Sequence, residues 1–262
     1  MRSSAALNLA TLGPVDLEQK LYAAARAGFA AVGLSREEME EAGEEGLDEL
    51  QMSDLSTAEV TGCSGWMDAR RTSRTLALVE AEKTFRLAAQ TGAAAVVAWP
   101  TCDEFDLIVA ATHFAELCRA AEPFAVHVGL EFLGHSPHVG NLGVAWEIVE
   151  GAEASNGGLV IDTFHFHQGG SSVEMLESIP AEKILLVQVS DAPPLPEREL
   201  EDGHRLYPGA GAIPLEPLLA AIRAKGYGGY YSLELHNEAY WQEDPVVVAA
   251  EGLRAMRRID IV

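Results

Sequence analysis

Basic residues are scarce in this 262-residue chain, in which 18 lysines and arginines stand against 40 aspartates and glutamates. The formal net charge is −22 at pH 7. Such a charge repels phosphate backbones and anionic membrane surfaces over about one Debye length. The composition therefore argues against nucleic acid and against membranes as partners.

Cysteine and long hydrophobic runs are also rare. The three cysteines, Cys63, Cys102 and Cys118, are odd in number and far apart, so they offer neither a disulfide framework nor a CxxC metal site. No apolar run approaches the ~18 residues that a membrane helix needs. In residues 1–14 the apolar stretch is broken by Asn8, which is wrong for a signal peptide. These absences predict a cytoplasmic protein.

Short apolar segments of strand length alternate with helical patterns along the whole chain. Amphipathic helices are predicted between the strands, and two of them end at a glycine, residues 16–28 at Gly28 and residues 75–92 at Gly92. The predicted strands are residues 5–11, 30–34, 57–63, 94–99, 125–132, 158–163, 184–190 and 230–235.

Eight strand-then-helix units predict a parallel sheet that closes into a (β/α)8 TIM barrel, with residues 1–262 as a single domain. The alternative is an open, doubly wound sheet. That fold favours a glycine-rich dinucleotide turn after the first strand, and the sequence there, "LATLGPVD", has none. The barrel is the better prediction.

Polar side chains stand near the C-terminal ends of four consecutive predicted strands. Glu131 and Asp162 close the fifth and sixth strands, and Gln188 and Glu234 lie late in the seventh and eighth. In a TIM barrel these strand ends meet at one mouth, where active sites are built. Three carboxylates there would repel one another without a cation, and oxygen donors without thiolate select a hard divalent ion. We therefore predict one divalent metal, Mn²⁺ first, with Mg²⁺ and Co²⁺ as alternatives.

Four stretches between residues 125 and 241 resemble a known family. They are "GLEFLGH", "GLVIDTFHFHQGGSS", "DGHRLYPGAGAIPL" and "YYSLELHNEAYW". They resemble the inosose (2-keto-myo-inositol) isomerases and their relatives among the xylose isomerase-like TIM barrels of the sugar phosphate isomerase/epimerase superfamily. The resemblance places Gln188 in the slot where most members have a histidine. It implies three metal ligands by position, Glu131, Asp162 and Glu234, and we predict Gln188 as the fourth, since its amide oxygen can still coordinate.

The resemblance also implies two substrate contacts, His165 and Arg205, and a small keto-polyol or sugar as the substrate. Two further residues are candidates for the substrate pocket. His135 lies in the loop after Glu131, where we expect it to reach a substrate hydroxyl, and Trp66 follows the third predicted strand, where an aromatic ring can wall a sugar pocket. The sequence does not determine the oligomeric state, and a homo-oligomer is among the states that it allows.

The first functional hypothesis is a metal-dependent isomerase or epimerase that works through a metal-stabilised enediolate. Glu131 and Glu234 would approach the substrate from opposite sides, one taking a proton and the other returning one. His165 would steady the developing oxyanion. Arg205 would orient the distal end of the substrate.

Two alternatives remain open. Glutamine also occurs at the Gln188 slot in the related 3-dehydroshikimate dehydratases. This similarity suggests a lyase in which the enolate of a cyclic hydroxyketone expels a β-hydroxyl. The other alternative is a barrel that binds sugar without turning it over. Retention of all the oxygen ligands argues against that second alternative.

Overall fold

The computed structural model describes residues 4–262, which form eight parallel strands closed into a barrel in chain order. The last strand pairs with the first, so no sheet edge is left open. This arrangement confirms the predicted (β/α)8 TIM barrel. The strands are β1 (Ser4–Asn8), β2 (Ala31–Ser35), β3 (Ser56–Cys63), β4 (Ala95–Ala98), β5 (Val128–Glu131), β6 (Gly157–Asp162), β7 (Ile184–Val189) and β8 (Tyr230–Leu233).

An α-helix follows each of these strands. Gly28 and Gly92 end the first and third helices with left-handed φ values of 96° and 66°, a conformation that glycine adopts without a Cβ penalty. No helix within residues 4–262 is long and apolar enough to cross a membrane. The helices are α1 (Leu17–Ala27), α2 (Arg36–Met52), α3 (Arg71–Thr91), α4 (Leu107–Ala121), α5 (Leu142–Ala152), α6 (Thr163–Gln168), α7 (Leu215–Ala224) and α8 (Pro245–Arg258).

Two strands, β1 and β8, end at least two residues earlier than the sequence predicts, and both ends lie at the mouth of the barrel. β1 stops at Asn8 because the Asn8 side-chain oxygen accepts the backbone N–H of Ala10 at 3.0 Å and caps a 3₁₀ helix at Leu9–Leu12. β8 stops at Leu233, so Glu234 is the first residue beyond the strand. Its side chain therefore belongs to the rim of the barrel.

A small apolar cluster fills the barrel interior beneath a layer of polar side chains. Because side chains on one face of a strand recur every two residues, a polar residue of the mouth can stand directly above an apolar residue of this cluster. Asp162 and Gln188, for example, stand two residues after Val160 and Leu186. The cluster consists of Ala6, Ala31, Ala58, Val97, Val160 and Leu186.

The strand register brings two polar side chains together across a glycine. Asn8 on β1 is in register with Gly33 on β2, and Gly33 is in register with Glu59 on β3. Since Gly33 has no side chain, Asn8 and Glu59 meet across β2, with Asn8 Nδ2 3.0 Å from Glu59 Oε1. A Cβ atom at Gly33 would collide with this carboxylate.

We expect Gly33→Ala to lower the free energy of unfolding by roughly 1–3 kcal/mol, the usual range for overpacking a filled interior. Urea denaturation measures the change. Gly228→Ala is the matched control, since a Cβ there meets nothing within 4 Å and its φ is not positive. Equal stability of the two variants would show that the barrel interior accommodates a methyl group at Gly33, and would contradict the predicted collision with Glu59.

Candidate metal centre

Three buried carboxylates converge at the mouth of the barrel. Glu131 ends β5, Asp162 ends β6 and Glu234 follows β8, and one ligand atom from each lies within 4.8 Å of the others. Their exposed fractions are 8%, 0% and 6%. Burial first, and then the charges of Glu234 and Asp162, raise the pKa of Glu131 well above its usual range. A cation among the three side chains would remove this repulsion.

Gln188 completes the candidate donor set. It is in register with Asp162, is fully buried, and has no hydrogen-bond partner for either side-chain atom within residues 4–262. A buried amide without a partner is costly, so its environment calls for a ligand. Amide and carboxylate oxygens suit a hard divalent cation. The residues present therefore fit a divalent metal, and the assignment of the four ligands stays a prediction.

Arg205 lies against the carboxylates. It is only 1% exposed, its Nη1 donates to Asp162 Oδ2 at 2.6 Å, and the same nitrogen is 3.9 Å from Glu234 Oε2. Burial alone would raise the pKa of Asp162, but the charge and hydrogen bond of Arg205 lower it overall. The sequence predicts that Arg205 orients the distal end of a substrate, whereas its guanidinium lies beside the candidate metal ligands.

The loop that carries Arg205 is fixed by an internal carboxylate. Asp191 shares a two-bond backbone bridge with Leu206, the residue after Arg205. Backbone N–H groups of the "PGAGAIP" turn are thus bound to a side chain of the same protein. Its role here is to hold the loop. The Asp191 carboxylate accepts the backbone N–H groups of Ala192, Gly209, Gly211 and Ile213 at 2.8 to 3.0 Å.

His165 directs its Nε2 atom, as a hydrogen-bond acceptor, towards the candidate metal centre. Its Nε2 is 3.4 Å from Arg205 Nη2 and 3.8 Å from Glu131 Oε1. A guanidinium only donates, so Nε2 accepts and Nδ1 carries the hydrogen, which points to Gln168 Oε1 at 3.3 Å. Burial, the largest influence, lowers the pKa of His165 and favours the neutral ring. Steadying an oxyanion, the predicted role, would require a hydrogen on Nε2.

The two remaining substrate-contact candidates differ in their placement. His135 is exposed in the loop after β5, and its ring packs edge-on against His165 with centroids 5.9 Å apart. Trp66 is 1% exposed, packs on Phe114, and donates its indole N–H to the Trp99 carbonyl at 3.0 Å. The structure thus places the Trp66 indole in the core, against Phe114 and Trp99, and its role as a wall of the substrate pocket stays a prediction.

Sequence reasoning missed a buried polar pair, Glu59 and Asn8, that adjoins Glu234. Glu59, in the middle of β3, is fully buried, and its Oε1 accepts from Asn8 Nδ2 at 3.0 Å and from Ser232 Oγ at 2.9 Å. Asn8 Nδ2 also donates to Glu234 Oε1 at 2.8 Å. Burial and the charge of Glu234 raise the pKa of Glu59 to about 8. The sequence signal that could have identified Glu59 is a carboxylate between two apolar residues of a predicted strand.

The raised pKa of Glu59 stabilises the fold only at low pH. Between its ordinary pKa of 4.5 and about 8, folded Glu59 binds a proton that the unfolded chain has lost. The free energy of unfolding therefore falls as pH rises through this window, by up to ~1.4 kcal/mol per pH unit. In chelator-treated protein, we expect wild type to lose stability relative to Glu59→Gln between pH 5 and pH 8. Urea denaturation that gives a constant difference between the two proteins would contradict the raised pKa.

Comparison with known proteins agrees with this architecture. Residues 21–259 match the family described as xylose isomerase-like TIM barrel. The inosose isomerase of Halalkalibacterium halodurans is 42% identical over 128 residues, which cover 48% of this chain and 45% of that protein. A 3-dehydroshikimate dehydratase of Pseudomonas aeruginosa is 33% identical over 143 residues, 54% of this chain and 23% of that protein. The chain thus matches about half, or less, of the length of these curated relatives.

Among solved structures, the IOLI protein superposes with a TM-score of 0.90 and 25% sequence identity, over 98% of this chain and 97% of that one. The crystal structure of that protein holds a zinc atom. The family match extends over most of the sequence, and the closed eight-stranded barrel agrees with it. The chain belongs to the xylose isomerase-like TIM barrel family.

Proposed function

We propose that this protein is a divalent-metal-dependent isomerase or epimerase of a small keto-polyol or sugar. The observation that carries the proposal is the buried set of Glu131, Asp162 and Glu234, whose ligand atoms lie within 4.8 Å of one another. The Gln188 amide has no hydrogen-bond partner among the described residues 4–262, which supports it as a fourth ligand. The inosose isomerase relative supports the substrate class and reaction.

Mn²⁺ is the metal that we propose first. All four donors are oxygens when Gln188 binds through its amide oxygen, and such a set favours Mn²⁺ or Mg²⁺, whereas imidazole and thiolate favour zinc. The zinc in the related IOLI structure supports a divalent ion in general. Mg²⁺ and Co²⁺ are the alternatives.

Two glutamates are the proposed proton carriers. A divalent ion bound here would polarise the substrate carbonyl and stabilise the negative charge that develops on it. Glu131 comes from β5 and Glu234 from the end of β8, so they reach the substrate from different sides of the mouth. One can remove the proton next to the carbonyl and the other can return a proton to the neighbouring carbon or the opposite face.

Arg205 and His165 are the proposed substrate contacts. Arg205 can donate to substrate oxygens beside Asp162, since its guanidinium already lies there. In the tautomer that the hydrogen bonds indicate, His165 accepts a hydrogen bond from a substrate hydroxyl. His135 is a further proposed contact with a substrate hydroxyl, and its exposed position next to His165 supports this role.

We also propose a cytoplasmic location, with no nucleic-acid or membrane partner. The net charge of −22 supports the absence of these partners, because it opposes binding to phosphates and anionic lipids, and the three scattered cysteines support a reducing compartment. The proposed substrate places the protein in carbohydrate or inositol metabolism.

Gln188 favours a second candidate, a dehydratase of a cyclic hydroxyketone. The first half of the reaction is the same, and the enolate then expels a β-hydroxyl to give a conjugated enone. The 33% identity to a 3-dehydroshikimate dehydratase supports this candidate, although the match covers 23% of that relative. A rise in ultraviolet absorbance during turnover separates the dehydratase from the isomerase.

Metal binding should depend on Gln188. A hundredfold excess of Mn²⁺ over its dissociation constant should stabilise wild type by roughly 2.7 kcal/mol, seen as a higher melting temperature. Gln188→Leu should lose metal affinity, and Gln188→His should keep it with a shift towards Co²⁺ or Zn²⁺. Calorimetric titration with each ion measures both effects. Identical affinities and preferences in all three proteins would exclude Gln188 as a ligand.

Proton transfer should depend on both glutamates. In D₂O with saturating Mn²⁺ and 2-keto-myo-inositol, Glu131→Gln and Glu234→Gln should each slow deuterium incorporation next to the carbonyl by about 10²–10⁴-fold. Mass spectrometry measures the incorporation. Glu216→Gln is the matched control, because Glu216 is an exposed carboxylate on α7 paired with Arg223. Undiminished exchange in both site variants would refute the two-base scheme.

A further inference from the structure

We infer that Asn8 is a positioning residue that holds Glu234 in its metal-binding orientation, and that Glu59 is the anchor that holds Asn8. The inference rests on the proposed function, since it concerns how one proposed metal ligand is oriented. Neither Asn8 nor Glu59 belongs to the four predicted ligands. Asn8 is the last residue of β1, and Glu59 lies in the middle of β3.

Every polar group of the Asn8 amide has a partner. Its Nδ2 carries two hydrogens and donates to Glu234 Oε1 at 2.8 Å and to Glu59 Oε1 at 3.0 Å. Its Oδ1 accepts the N–H of Ala10 at 3.0 Å. The amide orientation is therefore determined, because a flipped amide would place its oxygen against two carboxylate oxygens and its nitrogen against an N–H donor.

This contact distinguishes the two oxygens of Glu234. Oε1 is held by Asn8 at 2.8 Å and lies 3.6 Å from His236 Nε2. Oε2 lies on the side of Arg205, 3.9 Å from its Nη1. Glu234 would therefore offer Oε2 to a cation, as a single-oxygen ligand, while Asn8 keeps Oε1 occupied.

Glu59 is suited to be the anchor because its own position is fixed. Ser232 donates to Glu59 Oε1 at 2.9 Å, and the register across Gly33 leaves the space in which the carboxylate reaches Asn8. Glu59 is 0% exposed, so water does not compete for this contact. Without Glu59, one hydrogen of Asn8 Nδ2 loses its partner and the amide is free to turn away from Glu234.

The test measures Mn²⁺ affinity by calorimetry, and the Mn²⁺ electron paramagnetic resonance spectrum, in four purified variants. Asn8→Ser keeps a side chain that caps the 3₁₀ helix but does not bridge two carboxylates. Glu59→Leu removes the anchor, and the double variant combines both changes. Asn156→Ala is the matched control, since Asn156 Nδ2 also donates two hydrogen bonds, to Cys118 O and Val126 O, at the N-terminal end of β6.

We expect Asn8→Ser and Glu59→Leu each to weaken Mn²⁺ binding by about 10- to 100-fold and to change the resonance spectrum, as is usual when a partner of a metal ligand is removed. The double variant should lose no more Mn²⁺ affinity than the single variant that binds Mn²⁺ more weakly, because both changes break the same chain of contacts. Asn156→Ala should lose stability and keep wild-type affinity.

Two outcomes separate the inference from the function on which it rests. If wild type binds Mn²⁺ and both site variants bind within twofold of it, Asn8 is not a positioning residue and the proposed function stands. If wild type binds no divalent ion, the proposed function fails and the inference fails with it. Should Glu59→Leu not fold, Asn8→Ser alone decides.

Discussion

Repulsion among three buried carboxylates is the constraint on which the mouth of this barrel depends. Low local dielectric strengthens that repulsion, so each carboxylate requires compensation. The compensation differs for each one. Glu131 has a raised pKa, Asp162 is paired with Arg205, and Glu234 is bound by the Asn8 amide. A divalent cation would compensate all three carboxylates at once. Gln188, which has no hydrogen-bond partner within residues 4–262, lies next to Asp162 in the sheet.

The fold supplies this arrangement through strand register and through one loop that Asp191 holds in place. Closure of the sheet brings the ends of β5, β6 and β8 to one side, and the apolar cluster beneath them supports the polar layer. Gly33 lets two polar side chains touch across an intervening strand. Asp191 ties down the turn that delivers Arg205 to Asp162. The site thus draws on contacts between elements far apart in the chain.

Local patterns in the sequence predicted the fold well, because strand-length apolar segments and helix-ending glycines such as Gly28 depend on neighbouring residues alone. The meeting of the strand-end carboxylates followed from the barrel geometry. The Asn8–Glu59 contact was not predictable, since it depends on register and on a missing side chain at Gly33. The placement of Trp66 depends on its contacts with Phe114 and Trp99, which are distant in the chain. The left-handed Ala125 (φ 56°) precedes a strand β5 that starts at Val128, three residues later than predicted.

The central claim is that four side chains at the mouth bind one divalent cation. A crystal soaked with Mn²⁺ and measured for anomalous scattering tests it most directly. The account predicts one strong peak within ~2.0–2.6 Å of oxygens from Glu131, Asp162, Gln188 and Glu234, the range for hard oxygen ligands. A peak elsewhere in the molecule, or no peak while Arg205 still occupies Asp162, would contradict it.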